Sequence, residues 1–397
     1  MLLSIATSIH AQPWEFTSAI DVTKVAGKDV FHHVESSGRR NIAVSKSVIA
    51  VTWEDNRDND TPRIFLASKA HTEKNFTREI TISGKGEAFE PSIIALDNDK
   101  FAVTWEEDAG IYARLVTPSG PGPILTIARD DAFQASLVWQ NQQLLIAYSK
   151  KDSKYQRIWL QRLGVDGKNL IRLSDCPVDP EQAKDQQLYP TLISQQGLVI
   201  VAWEDRRPGR TIIMAAKNLQ KPCSFTLPQQ ISSAPAARSS PYGKGHGVAR
   251  VALAQFGINK VMATWADKRD FREGYDIYAA AFQPGAKTLF GVNMKVQDSF
   301  GEVAQQWHAS IAGHDSGYLV TAWDDNRDGN ANIMLSWLEN NTWSEDIEAE
   351  VATGEGEQTH PSITLDSNGD LHMVWIDRLS IGGPTQLKYA FAKRVVN

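Results

Sequence analysis

One short phrase recurs along the chain and constrains its fold more than any other feature. An apolar run ends in an aromatic residue, and an acidic, polar turn follows. The copies read "IAVTWEDNRD", "FAVTWEED", "LLIAYSKKD", "VIVAWEDRR", "VMATWADKRD", "LVTAWDDNRD" and "LHMVWIDR", with Trp53, Trp105, Tyr148, Trp203, Trp265, Trp323 and Trp375 as their markers. The markers are spaced irregularly, but the spacing centres on roughly fifty residues. Each copy is flanked by further short apolar segments. Upstream are strings such as "EPSIIAL", "YPTLIS" and "HPSITL"; downstream are "RIFLASKA", "GIYARLV" and "DIYAAAF". In most copies a fourth segment follows, as in "NFTREITIS". These segments are rich in β-branched and aromatic residues and are broken by Gly, Asp, Asn and Pro, which is the signature of strands. None has a sustained helical period.

Four antiparallel strands repeated around an axis make a β-propeller. The sequence therefore predicts an all-β chain, a seven-bladed β-propeller of four-stranded antiparallel blades. The last copy ends after its third strand, while the N-terminal "WEFTSAIDV" resembles the fourth strands of other copies. The N-terminal strand is thus expected to complete the last blade, closing the ring and removing a free sheet edge. Residues 12–397 form this single domain in the prediction, and 1–11 read as the remnant of a signal peptide with cleavage after Ala11.

The recurring apolar run, Trp, Asp-x-Arg and following strand resemble the sialidase-like, BNR-type group of bacterial β-propellers over nearly all of the chain. That resemblance implies the architecture. It does not extend to the catalytic signatures, for no S-x-D-x-G-x-x-W box is present. The nearest string to an F/Y-R-I-P segment, "TPRIF" from Thr61 to Phe65, has the wrong order. Sialidases typically have six blades where seven copies are counted here, and no catalytic residue is carried over.

Several function classes are disfavoured by composition. The chain has 397 residues and a net charge of -6, without the basic face that nucleic acid requires. It lacks a run of 18 apolar residues that would cross a membrane. There is no G-x-S-x-G, phosphate loop or paired-cysteine zinc motif. The two cysteines, Cys176 and Cys223, bracket one repeat, so a disulfide is reasonable in an exported protein. The expected compartment is secreted or periplasmic, and the expected state is a monomer.

Asp55, Asp205, Asp267, Asp325 and Asp377 recur two positions after the tryptophan, and Arg57, Arg207, Arg269 and Arg327 two positions further. Chemistry repeated in so many copies reads as structural: a turn carboxylate accepting N–H bonds and bridged by an arginine. One position does vary. Just before the "P-S-I" string, successive copies carry Arg39, Glu90, Gln134, Tyr189, Val248, His308 and His360. Different polar residues on a symmetric scaffold mark a ligand site at the channel mouth. Trp307 adjoins it, and the expected ligand is a glycan, a protein or a cell-surface component.

Five histidines, His32, His33, His246, His308 and His360, fall in the loops leading to these positions and suggest a metal site for Cu or Zn. Asp324, Asn326 and Asp328 suggest a calcium loop, although the twelfth position that an EF-hand fills with Glu is Leu335. The leading reading is a non-catalytic binding propeller. A sialidase-like glycoside hydrolase, drawing on Glu90, Asp108 and Asp325, is the first alternative. A metal-dependent enzyme built on the histidines is the second.

Overall fold

The computed structural model describes residues 12–35, 37–58, 60–219, 221, 223–233, 247–269, 274–298, 303–380 and 382–395. Every regular element among them is a β-strand. The runs that end in tryptophan are the second strands of their units. Each is buried on both faces, as in Leu198–Asp205 and Leu319–Asp325. This explains why they read as continuous apolar runs rather than as an alternation.

The repeating unit is an antiparallel meander. Ala132–Gln140, Gln143–Asp152, Tyr155–Asp166 and Asn169–Pro177 pair in that order, as do Gln187–Gln195, Leu198–Asp205, Ile212–Lys217 and Gln229–Gln230. The structure is an all-β propeller with antiparallel blades. Hydrogen bonding groups its strands into six sheets, not the seven separate ones expected from the repeat. The difference arises where Gly274 and Tyr275 pair in parallel with Ala304 and Gln305, which fuses two meanders into a nine-stranded sheet.

The chain's ends meet. Trp14–Phe16 pairs antiparallel with Thr385–Arg394, the last strand, with Trp14 opposite Arg394. Trp14 is buried, and its indole N–H donates to the Gly369 carbonyl at 2.9 Å. A core joining Val34, Val51 and Trp53 to Val374, Leu387 and Tyr389 seals the first unit against the last. Each of the other core clusters likewise lies between two units consecutive in sequence.

The recurring Asp and Arg have one geometry. The indole N–H of Trp53, Trp203, Trp265 and Trp323 donates to the carboxylate of Asp55, Asp205, Asp267 and Asp325 respectively. The backbone N–H of the arginine two residues on donates to that same carboxylate, and its guanidinium pairs with it. In three copies the guanidinium then reaches the fourth segment of its own unit, meeting Glu79, Asn293 or Asp346, whereas Arg207 reaches Asp179, just after the fourth strand of the preceding unit. Three copies thus lock the end of the second strand to the outer edge of their own unit, and the Arg207 copy locks it to the unit before. Cys176 and Cys223 are joined in a disulfide, with a Cα–Cα distance of 5.6 Å.

Candidate functional site at the channel mouth

Near its start, the first strand of each unit is interrupted by a β-bulge. The register breaks between Phe89 and Ser92, Phe133 and Ser136, Leu188 and Thr191, Ala249 and Ala252, Trp307 and Ser310, and Thr359 and Ser362. The residue after each break point is left-handed: Glu90, Gln134, Tyr189, Arg250, His308 and His360 have φ between 50° and 66°. A side chain seldom adopts that conformation, and a bulge that re-aims one is a feature of functional sites. The fifth member of the ring is therefore Arg250, not Val248. Val248 pairs with Asp267 two residues before the bulge. No proline marks the position there, which hid the offset in the sequence.

The strained backbone is held by a second ring, the residue directly after each tryptophan. Glu54, Glu106, Glu204 and Asp324 accept the backbone N–H of Glu90, Gln134, Arg250 and His360 in the following unit, at 3.2, 2.6, 2.8 and 3.1 Å. Ser149 stands at this place in the third unit. There the Gln134 side-chain oxygen accepts the Tyr189 N–H instead, at 2.8 Å.

The first unit departs from the pattern. His33 pairs with Glu54, and Ile42 with Val51. Residues 34–41 fill a gap that three residues fill elsewhere. This insertion enters the central channel. The Gly38 carbonyl accepts the Ser136 hydroxyl at 3.0 Å, and a Cβ at Gly38 would lie 2.5 Å from the Val251 carbonyl oxygen. Only glycine fits there, and the loop plugs the axis while presenting Glu35 and Arg39 to the mouth.

Around that plug the charged groups converge. Glu35 lies 3.0 Å from the Arg250 guanidinium and 3.8 Å from His33. Arg39 contacts Glu90 and lies 3.9 Å from Glu106. Arg250 stacks 3.4 Å above the Tyr189 ring. On the far side His308 bonds Asp324 at 2.7 Å through Nδ1, its ring stacks on His360 at 3.7 Å, and His33 meets His360 edge-on at 5.5 Å. Trp307 packs against Tyr275 at 4.0 Å.

Burial and charge divide the protonation states. Burial, reinforced by Glu106, Glu35 and Asp55, pushes the Glu54 carboxyl up to about 8. Burial also tends to raise Glu35, but Arg39 and Arg250 outweigh it and hold that carboxyl below its ordinary range. Glu106 and Glu204 are raised, chiefly by burial. Burial and the neighbouring His308 push His360 down to about 3, whereas His308 is raised against its own burial by Asp324. At the mouth, therefore, the Glu54 carboxyl is pushed up to about 8 while that of Glu35 is held low.

The structure brings together most of the residues singled out from sequence: Arg39, Glu90, Gln134, Tyr189, His33, His308, His360 and Trp307. It separates others. His32 points to the opposite side of its strand from His33. It is buried against Thr385, with Asp55 at 3.9 Å, and does not join the cluster. His246 and residues 1–11 lie outside the described residues. One ring nitrogen each of His308 and His360 and a carboxylate oxygen of Asp324 lie within 4.8 Å of one another, as do ligand atoms of His33, Glu35 and Glu90. The three residues of the calcium reading have separate surroundings. Asp324 is taken by His308 and His360, the Asn326 side chain accepts the Gln305 N–H at 2.7 Å, and Asp328 is exposed. Asp325 is bound by Trp323 and Arg327, and Asp108 is an exposed turn residue.

Sequence reasoning missed Glu35, Glu54, Glu106, Glu204, Arg250 and Tyr275. The available signal was the residue after each marker, which reads Glu, Glu, Ser, Glu, Ala, Asp and Ile around the ring. It varies as the bulge position does.

No protein-family model, the sialidase-like group included, and no curated protein sequence matches the chain. Solved structures similar to it include an α-L-arabinanase of Penicillium chrysogenum complexed with arabinobiose. It is 11% identical, aligned over 76% of this chain and 92% of that one, with a TM-score of 0.47. A Fusarium graminearum GH93 α-L-arabinofuranosidase is 11% identical over 77% and 92%, with a TM-score of 0.46. A Mycobacterium tuberculosis puromycin-hydrolyzing peptidase is 10% identical over 92% of this chain and 53% of its own, with a TM-score of 0.51. At such identities a likeness speaks to fold alone, and only the last superposes closely enough to carry it. Fold and mouth together define the chain as a β-propeller with a charged, asymmetric site at one end of a plugged channel.

Proposed function

We propose that the channel mouth binds a carbohydrate and cleaves its glycosidic bond, with Glu54 as the general acid and Glu35 as its ionised partner. The observation that carries this is the split between the two carboxyl groups, one raised to about 8 and the other held low at the same opening. Glycosidic cleavage needs such a pair, one group to protonate the leaving oxygen and one to act as base or nucleophile. Tyr189 and Trp307 offer ring faces to a sugar, and Arg39 and Arg250 offer donors to its hydroxyl or carboxylate groups. This sharpens the sialidase-like affiliation drawn from the repeat into roles for particular side chains.

The test is turnover of a panel of aryl glycosides, including arabinofuranosides, hexopyranosides and sialosides. Wild-type protein should hydrolyse at least one. Glu54→Gln and Glu35→Gln should each lose about 10²-fold or more in kcat while still binding the glycan. No turnover anywhere on the panel, with glycans still bound, would leave a non-catalytic binding propeller. That second reading is favoured by the dense pairing of Arg39 with Glu90 and of Arg250 with Glu35.

The same proposal takes the ring as seven four-stranded blades, the nine-stranded sheet being two of them joined by a short parallel bridge. Seven interblade cores, each between consecutive units and one closing the ring, support that count. We assign the protein to a secreted or periplasmic location, supported by its disulfide. We take it as a monomer because its own termini cover the ring's closing edge.

A further inference from the structure

A second cluster lies at the other end of the strands from the mouth. His71 follows the third strand of the first unit, Thr61–Ala70. Asp366 follows the first strand of the last unit, Glu357–Leu365, and His372 sits at the start of its second, Leu371–Arg378. One ring nitrogen from each histidine and one carboxylate oxygen lie within 4.8 Å of one another. The two rings stand nearly perpendicular, at 88°, with centroids 6.0 Å apart. In this they differ from the stacked pair at the mouth.

We propose that His71, Asp366 and His372 form a zinc-class metal site that pins the first unit to the last across the seam where the ring closes. His372 is fully buried, and its Nε2 has no hydrogen-bond partner; the nearest carboxylate oxygen, Asp366 Oδ2, is 3.6 Å away. A buried, unpartnered imidazole nitrogen aimed at a carboxylate and a second imidazole is what a missing cation leaves behind.

The surrounding bonds arrange the same three groups as ligands. His71 Nε2 faces the Ser45 carbonyl at 3.1 Å and must donate to it, which leaves the lone pair on Nδ1. His372 Nδ1 lies 2.8 Å from the Tyr389 hydroxyl, and in the tautomer that donates to that oxygen the lone pair is on Nε2. Asp366 Oδ1 accepts the N–H groups of Asn368 and Asp370 at 2.8 and 3.0 Å, while Oδ2 lies 3.6 Å from His372 Nε2 and accepts the Asn368 side-chain amide at 3.4 Å. Ligating histidines typically donate their second nitrogen to an outer acceptor in this way. The cation in the neighbourhood is already occupied, since Lys69 donates to the Glu73 carbonyl at 2.9 Å. Two imidazoles and a carboxylate suit Zn²⁺, with a fourth position open to water.

The site is independent of any activity at the mouth. The test is Zn²⁺ titration of untagged, chelator-treated full-length protein, followed by calorimetry, metal analysis and thermal melting. We expect one equivalent bound and Tm raised by about 3 °C at a hundredfold excess over Kd. His71→Ala should abolish both effects; its exposed position makes it a variant that folds even where His372→Ala does not. His308→Ala should leave the stoichiometry at one. Substitution with Co²⁺ should give visible absorption of a tetrahedral nitrogen–oxygen site. Folded wild-type protein that binds no zinc above background, or His71→Ala protein that binds one equivalent as wild type does, would overturn the proposal.

Discussion

Replacing Asp325 with alanine tests whether the recurring acid is a structural lock. The carboxylate is almost fully buried and is the acceptor for three groups. It takes the Trp323 indole N–H at 3.2 Å, the Arg327 backbone N–H at 2.9 Å and the Arg327 guanidinium at 2.6 Å. Removing it strands a buried indole N–H and leaves Arg327 with Asp346 alone. Deleting one partner of a buried ion pair costs about 3–5 kcal/mol. An unfolding entropy near 2.1 cal/mol/K per residue over 397 residues gives about 0.8 kcal/mol/K, so Tm should fall by about 5 °C. Asp325→Asn keeps an acceptor oxygen but loses the charge and should fall about half as far. Asp377 is the internal control. Among the described residues its carboxylate accepts the Gln358 side-chain amide at 3.0 Å, and the residue two positions on is Leu379, so Asp377→Ala should cost about 1 kcal/mol. Differential scanning calorimetry of the three variants checks the ordering. Equal losses at Asp325 and Asp377, or no loss at Asp325, would refute the lock.

Four further outcomes follow from the same geometry. Trp14→Ala removes a buried side chain and its bond to Gly369, so we expect a loss of about 3–5 kcal/mol. Deleting residues 12–23 should unfold or oligomerise the protein on gel filtration, and a monomer with unchanged Tm would contradict closure by the N-terminal strand. Reducing the Cys176–Cys223 disulfide should lower Tm by about 3–5 °C in a dithiothreitol melt. Stability should also fall as pH rises between the ordinary carboxyl range and about 8: there the unfolded chain has released the Glu54 proton while the folded protein still holds it. Glu54→Gln should flatten that slope in pH-dependent denaturation.

The fold was readable because each blade must bury the same inner strand on both faces, which repeats one apolar phrase ending in an aromatic residue. The closing strand was readable because Trp14 to Val22 looks like the fourth segments it replaces. Sheet grouping was not, since the bridge from Gly274 and Tyr275 to Ala304 and Gln305 is a contact between repeats and leaves no periodic mark. At the site, the bulge position was found in five units, at Glu90, Gln134, Tyr189, His308 and His360. It slipped by two residues to Val248 in the unit whose bulge falls at Arg250. His32 and His33 looked equivalent in the sequence, but neighbouring strand residues face opposite ways, so only His33 reaches the mouth. Glu35 sits in an insertion that one repeat alone carries, so comparison among repeats reached Arg39 there but not Glu35. His71, Asp366 and His372 meet only because the first and last units are neighbours in the closed ring.

The most direct measurement is the titration of Glu54 itself, by carbon-13 NMR of glutamate side-chain carboxyls in wild-type and Glu54→Gln protein. We expect one resonance with a midpoint near 8, missing in the variant, and an alkaline limit on glycoside turnover at the same pH. If every glutamate titrates in the ordinary carboxylate range, the mouth holds no proton donor at neutral pH and Glu54 is not the acid.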